Sequence, residues 1–186
     1  MNPSFHFDAV ERITAGAVGE PGERVFFVQA RARGADVTLL AEKEQVRLLS
    51  EGISRLLGQL PESDEGPAPA EEDLALSPPL EPMWRVGEMA IEYDEASDRI
   101  AIVLREVSSE QEADDEAAEP EDVVEEDLAA ARFVATRAQV RAMADHALKV
   151  VAAGRPRCQF CNAVLEGDGS HMCAAMNGHK APKSAG

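Results

Sequence analysis

Three cysteines and two histidines lie close together in the last thirty residues of the chain, at spacings that suit a metal ion. Cys158 and Cys161 form a C-x2-C pair, and His171 follows the second cysteine after ten residues. Zinc prefers a tetrahedral set of sulfur and nitrogen ligands, and such a pair supplies half of it. His171 and Cys173 would face the same way on an extended strand. His179 is the other candidate for the fourth ligand, so five candidates compete for four positions.

Other uses of these cysteines are less consistent with their surroundings. A redox dithiol usually opens a helix after a strand, whereas Cys158 follows Arg155-Pro156-Arg157 and Cys161 leads to the glycine-rich residues 166–169. A catalytic zinc would leave one position open to water, and a fifth candidate ligand argues against that. A segment this short has little core and needs a staple to be ordered. We therefore predict that residues 155–186 form a small module holding structural Zn²⁺.

The acidity of the chain is concentrated in two stretches. The net charge is −17. Residues 61–82 and 108–127 hold seven and eleven acidic residues and no basic residue, and the remainder has 17 acidic against 18 basic residues. Such runs bury little apolar surface, so both are predicted to be solvated, disordered inserts. The alternative is that they dock on a basic surface of a partner.

The length of the chain allows one domain, residues 1–154, and the small C-terminal module. It contains no apolar run long enough for a membrane helix, and its N-terminus does not resemble a signal peptide. Three cysteines within sixteen residues argue against a disulfide framework and for a reducing compartment. These features predict a cytoplasmic protein that does not associate with membranes.

The rest of the sequence reads as two copies of one unit. Residues 42–57 align with residues 136–151 at an offset of 94, and both segments show helical spacing of apolar residues. Upstream, the strand at residues 24–28 aligns with residues 99–103 at an offset of 75. The two copies, at about 5–60 and about 83–154, each read as strand, turn, strand, strand and helix.

These elements predict an α+β fold. Two β-β-β-α units would form a single, mostly antiparallel sheet with both helices on one face and pseudo-twofold symmetry between the halves. The other face of the sheet would be polar, or covered by the N-terminal segment or a second subunit. Phe5, Phe7, Trp84 and Met89 are candidates for that cover, and ordinary core positions are the alternative.

The tail and the strand–turn sequence at residues 15–29 resemble the bacterial family known as domain of unknown function 3090. The similarity covers nearly the whole chain outside the inserts, including Arg85-Val86-Gly87 and Asn177-Gly178-His179. Most members carry proline after the first cysteine and glycine after the second, where this chain has Gln159 and Asn162. The family has no established activity. Its members accompany a phosphoglycerate-mutase-like phosphatase and a lipid-kinase-like protein, so the resemblance implies a shared pathway and a physical partner.

Residues that could carry catalysis outside the tail are few. The sequence contains no phosphate-binding loop, dinucleotide-binding or nucleophile-elbow motif. His146 reads as a helix-surface residue and His6 as an exposed strand residue. Glu88, Glu92 and Asp94 alternate as on the wet face of a strand. Few aromatic residues and no basic stripe argue against nucleic-acid binding.

Four arginines occupy equivalent places in the two units. Arg24 matches Arg99 at the strand starts, and Arg47 matches Arg141 on the helices. Such pairs could bind a phosphate or a carboxylate, and surface salt bridges are the alternative.

Two functions therefore remain open at this point. One is a non-catalytic, zinc-binding adaptor acting with a phosphatase-like or kinase-like protein. The other is an enzyme for a small phosphorylated substrate at the interface of the two repeats. A homo-oligomer is possible in either case.

Overall fold

The computed structural model describes residues 2–63, 65–108 and 128–153, together with Cys158, Phe160 and Cys161. These residues form seven strands, two α-helices and one short 3₁₀ helix at Glu71–Leu74. The strands are β1 (Phe5–Phe7), β2 (Arg12–Val18), β3 (Val25–Ala32), β4 (Ala35–Ala41), β5 (Val86–Asp94), β6 (Arg99–Glu106) and β7 (Ala130–Ala135). The helices are α1 (Lys43–Gln59) and α2 (Arg137–Ala152). Neither helix is long and apolar enough to cross a membrane.

The α+β class and the mostly antiparallel pairing are confirmed. Strands β2, β3 and β4 form one antiparallel sheet, and β5, β6 and β7 form a second that β1 joins in parallel. The prediction of a single sheet is wrong, because β4 meets the chain entering β5 through only one parallel bridge, between Leu40 and Arg85. The next two carbonyls, of Val86 and Gly87, accept hydrogen bonds from the Gln45 side chain instead.

The segments that lead into the two units cross over between them. β1 precedes β2 along the chain but pairs with β7, the last strand of the other unit. Residues 83–85 precede β5 but lie along β4, where the Leu40 N–H donates to the Trp84 carbonyl at 3.0 Å. The Met83 N–H donates to the Thr38 carbonyl at 2.9 Å. Each sheet is thus extended by the chain that enters the other unit.

Gln45 and Gln139 make equivalent contacts at the starts of the two helices. Each side-chain oxygen accepts the N–H of its own N-cap residue, at 2.8 Å in α1 and 2.9 Å in α2. Each side-chain nitrogen donates to two carbonyls where the first strand of the other unit begins, at 2.9–3.0 Å for Gln45 and 3.1–3.3 Å for Gln139. These contacts agree with the offset of 94 between the helices.

The upstream strands correspond at a different offset from the one that the sequence alignment uses. Phe26 pairs with Ala41, and Ile100 pairs with Ala135, which lies 94 positions after Ala41. Phe26 and Ile100 are therefore equivalent, which is an offset of 74. The alignment of Arg24 with Arg99 is wrong by one residue, and such a shift moves every side chain of a strand to the opposite face.

One apolar core joins both units. The helices pack against each other, α2 also lies against β2, and α1 also lies against β5. Trp84 is buried, while Phe5, Phe7 and Met89 are partly buried against the core, as the ordinary-core alternative expects. The core side chains with no more than 2% exposure include Ile13, Val28, Leu39, Val46, Ile53, Ile100, Ile102, Leu104, Phe133, Val140 and Met143.

The first acidic stretch covers the outer face of the β2–β3–β4 sheet, which differs from the expected solvated insert. The Thr14 hydroxyl donates to the Leu74 carbonyl at 2.5 Å, and the Gln29 amide donates to the Ser77 carbonyl at 2.9 Å. The Ser77 N–H donates back to the Gln29 side-chain oxygen at 2.8 Å. The main chain of residues 74–77 thereby satisfies buried polar groups of the sheet. Most of the second stretch lies outside the described residues.

Candidate functional site

The first two predicted zinc ligands lie just beyond the end of α2. Cys158 is buried, with 5% exposure, and Cys161 is half-buried. The Phe160 N–H donates to the Cys158 sulfur at 3.4 Å. His171, Cys173 and His179 lie outside the described residues. Among the residues that the structure describes, no three His, Cys, Asp or Glu side chains converge as a metal-binding group.

Cys158 and Cys161 are two donors of the kind that zinc takes in structural sites. Zinc binds a cysteine as its thiolate. The donor atoms of this pair therefore fit the predicted Zn²⁺, and the other candidate ligands lie outside the described residues.

Arg24 fastens the end of α2, from which this segment departs. Its guanidinium donates to the Val150 carbonyl at 3.0 Å and to the Ala153 carbonyl at 2.8 Å. The last carbonyls of a helix lack partners within the helix, and a cation is favourable at that end. The chain therefore leaves α2 from a fixed point, five residues before Cys158. This role could not be predicted from the sequence, because nothing in the spacing of Arg24 points to a helix end.

Of the four arginines that the sequence alignment matches, Arg47 and Arg141 form salt bridges at the surface. Arg47 contacts the carboxylates of Glu44 and Glu51, each at 2.5 Å. Its hydrogen bonds to Glu44 and then to Glu51 raise the pKa of Arg47 above its ordinary value. Arg141 makes a two-point contact with Glu65, at 2.5 and 2.9 Å. The structure therefore does not bring the matched arginines together around a phosphate.

A polar cleft of about 570 Å³ lies at the start of α2. It is bordered by the β5–β6 hairpin and by residues 66–70 of the first acidic stretch. Among the residues that the structure describes, its charged lining comprises four carboxylates and two guanidiniums, those of Glu11, Glu65, Asp73, Asp98, Arg99 and Arg137. Arg99 is exposed, and it is the one of the four matched arginines that reaches this cleft.

Arg137 is committed to holding the wall of this cleft. It is 4% exposed and donates to one Asp98 oxygen through Nε at 2.7 Å, and its Nη2 lies 2.6 Å from the same oxygen. It also donates to the Pro61 carbonyl at 2.6 Å and to the Tyr93 hydroxyl at 3.0 Å. Hydrogen bonds from the Tyr93 hydroxyl and from Arg137 lower the pKa of Asp98 below its ordinary value. Asp98 therefore stays ionised and engaged.

The remaining candidates behave as surface groups. His6 is exposed and lies 2.8 Å from Asp8. His146 is half-buried on α2, and burial followed by the nearby Lys149 lowers its pKa. Glu88, Glu92 and Asp94 are all on the exposed side of β5, as the alternating pattern predicts.

The comparisons with known proteins bear on the family alone. The model of a family described as protein of unknown function, DUF3090, matches residues 5–173. The matched span contains both units and Cys158, Cys161, His171 and Cys173, and it ends before His179. None of the curated proteins and none of the solved structures that were compared matches the chain. Because the match spans most of the sequence, the chain belongs to the DUF3090 family.

Proposed function

We propose that this protein is a non-catalytic adaptor whose C-terminal module is held together by a structural zinc ion. The observation that carries the zinc is the buried Cys158 sulfur, which accepts the Phe160 N–H beside the half-buried Cys161. Arg24 supports the zinc proposal, because its guanidinium binds carbonyls at the end of α2 and so fixes the point from which the cysteine segment departs. A zinc ion would supply the bonds that a segment with little apolar core cannot make for itself.

The proposed ligands are the three cysteines and His171. His171 is separated from Cys173 by one residue, so an extended chain would present both to the same ion. The spacing to Cys173, with one intervening residue for His171 and five for His179, favours His171 as the fourth ligand.

The absence of a suitable phosphate site in the described residues supports an adaptor over an enzyme. The cleft at the start of α2 contains more carboxylates than guanidiniums, and such a lining repels a phosphorylated substrate. Arg137 in that cleft is already engaged by Asp98, Tyr93 and a main-chain carbonyl. The family resemblance suggests a phosphatase-like or kinase-like protein as the partner.

We propose that the two units are copies of one ancestral unit. Each consists of a three-stranded antiparallel meander followed by a helix. Gln45 and Gln139 bind their own N-cap residue and the start of the other unit in the same way. Equivalent contacts of this kind support a shared origin more strongly than a shared order of elements.

The zinc proposal predicts about one zinc ion per purified chain, because a complete tetrahedral site takes one ion. Cys161→Ser should remove most of the metal, since it deletes a thiolate of the pair. His171→Ala should do the same, while His179→Ala and the helix-surface variant His146→Ala should keep it. Elemental analysis and thiol titration measure this. Three freely reactive thiols in a metal-free native protein would overturn the proposal.

The adaptor proposal predicts a complex with a phosphatase-like or kinase-like protein of the same bacterium and no turnover by this chain alone. Co-expression, size-exclusion chromatography and a measured affinity test the complex. Phosphorylated small molecules should not be consumed by the isolated, zinc-loaded protein. Turnover that disappears with Arg99→Ala, together with no complex, would favour the enzyme instead.

A further inference from the structure

The two units differ in how their first strands are covered. β2 and β5 both lie at an edge of their sheets. In β2 the first five residues are buried, because α2 packs on one face and residues 74–77 cover the other. In β5 the residues after Val86 alternate between half-buried and exposed. From Glu88 to Asp94 the edge of β5 is a stretch of seven residues that the described part of the chain leaves open, since Gln45 occupies the carbonyls of Val86 and Gly87.

An apolar groove runs beside this open edge. It has a volume of about 320 Å³ and lies between α1 and β5. Its lining residues are Gln45, Leu48, Leu49, Gly87, Met89 and Ile91. Leu48 is 54% exposed and does not belong to the buried face of α1, so its side chain is accessible at the rim of the groove.

Side-chain size accounts for the looser packing of α1 on β5 than of α2 on β2. The strand registers place Ile91 where β2 has Ala15, and the helix offset places Leu48 where α2 has Ala142. Small residues let α2 lie close to β2. α1 instead touches β5 at Gly52, where an added Cβ would be 3.0 Å from the Ile91 side chain. Away from Gly52, the larger side chains hold the helix and the strand apart.

The charges on β5 decide what can occupy this edge. Its outward side chains are those of Glu88, Ala90, Glu92 and Asp94, and none is basic. A second copy pairing antiparallel about Ala90 would place Glu88 opposite Glu92. Every other self-pairing that keeps the faces aligned also leaves these acids without a base. Like charges opposite each other destabilise a sheet, so the strand is unsuited to pairing with itself.

We propose that β5 and the groove bind an extended segment of a partner protein in which basic and apolar residues alternate. The segment would add to the edge of the sheet, with its basic side chains opposite Glu88 and Glu92. Its apolar side chains would enter the groove beside Leu48, Met89 and Ile91. Glu92 already contacts Arg132 at 3.3 Å, so Glu88 is the main partner for an incoming cation. The inference rests on the adaptor function and names the surface that performs it.

The test uses the full-length, zinc-loaded protein and synthetic heptapeptides. One peptide alternates lysine and valine, a second has the same composition in blocks, and a third alternates glutamate and valine. The alternating lysine peptide should shift the amide NMR signals of β5 and of α1 near Leu48, and it should saturate. The other two should bind at least about fivefold more weakly, since each cross-strand ion pair contributes modestly.

Two variants make the test specific. Leu48→Glu should abolish binding without changing the unfolding midpoint, because the side chain is largely exposed, and the matched control Val25→Glu should leave binding intact. Glu88→Lys should reverse the preference between the lysine and glutamate peptides. Equal binding of all peptides, or a dimer that Leu48→Glu dissolves, would overturn the proposal. A partner complex that survives Leu48→Glu would reject this surface and leave the adaptor function standing.

Discussion

Replacing Gln29 with alanine is expected to lower the free energy of unfolding by about 3 kcal/mol. Gln29 is fully buried in the central strand of the first sheet. Its amide donates to the Thr38 hydroxyl and to the Ser77 carbonyl, both at 2.9 Å, and its oxygen accepts from the Ser77 N–H and from Arg12. Alanine would leave these partners buried without their hydrogen bonds, and an unsatisfied buried group costs more than the bond itself contributes.

Urea unfolding followed by circular dichroism measures this loss. Gln59→Ala is the matched control, because Gln59 is exposed at the end of α1, and it should change stability by less than about 0.5 kcal/mol. Gln29→Leu keeps most of the volume and should still destabilise. A loss below about 1 kcal/mol for Gln29→Ala would mean that residues 74–77 do not keep the outer face of the β2–β3–β4 sheet buried.

Arg12 lies beneath this layer. Its exposure is 9%, and its Nε has no hydrogen-bond partner within the part of the chain that the structure describes. Burial is the main cause of a lowered pKa for this arginine, and the nearby Asp36 opposes it. A guanidinium in such a place depends on the carbonyl of Ala75, to which it donates at 2.7 Å. Loss of the Gln29 contacts with Ser77 would therefore also disturb the hydrogen bond from Arg12 to the Ala75 carbonyl.

Trp84→Ala is expected to cost about 4 kcal/mol, in the range usual for emptying a large buried site. The side chain is 5% exposed within the core, and its indole N–H donates to the Pro3 carbonyl at 3.0 Å. The residue also lies where the chain entering the second unit runs along β4. Its removal should therefore weaken both units together, in one transition.

Thermal and urea unfolding by circular dichroism test this, since the variant lacks tryptophan fluorescence. Met83→Ala is the neighbouring control, because Met83 is 42% exposed, and it should cost little. Two separate unfolding transitions for Trp84→Ala would show that the units do not share one core. A loss of structure confined to the first unit would show the same.

The helices could be predicted because they are encoded locally. Val46, Leu49 and Ile53 recur at helical spacing, and all three are buried on α1. The strand register could not be read in the same way. In β3 the residues of both faces are buried from Phe26 to Ala30, so the alternation that would reveal a face is missing. Two hairpins of unequal length then concealed the correct offset.

The cover of the first sheet could not be predicted from composition. An acidic, proline-rich stretch suggests solvation, but the polar face formed by Thr14, Gln29 and Thr38 requires hydrogen-bond partners once it is buried. The main chain of that stretch supplies them. Similarly, the contact of Arg24 with Val150 joins residues 126 positions apart, and no local pattern encodes it.

The exchange of leading strands between the units restricts how such a chain could have arisen. A single unit would present an open edge on its last strand and a leading strand with no sheet of its own to join. Two separate copies could resolve both defects by exchanging those strands across a twofold axis, which is a dimer held by domain swapping. If the two units are copies of one ancestral unit, as proposed, fusion into one chain makes that exchange intramolecular, at a high effective concentration. Such a chain keeps its exchanged segments paired at any dilution, whereas a dimer of separate units dissociates when it is diluted.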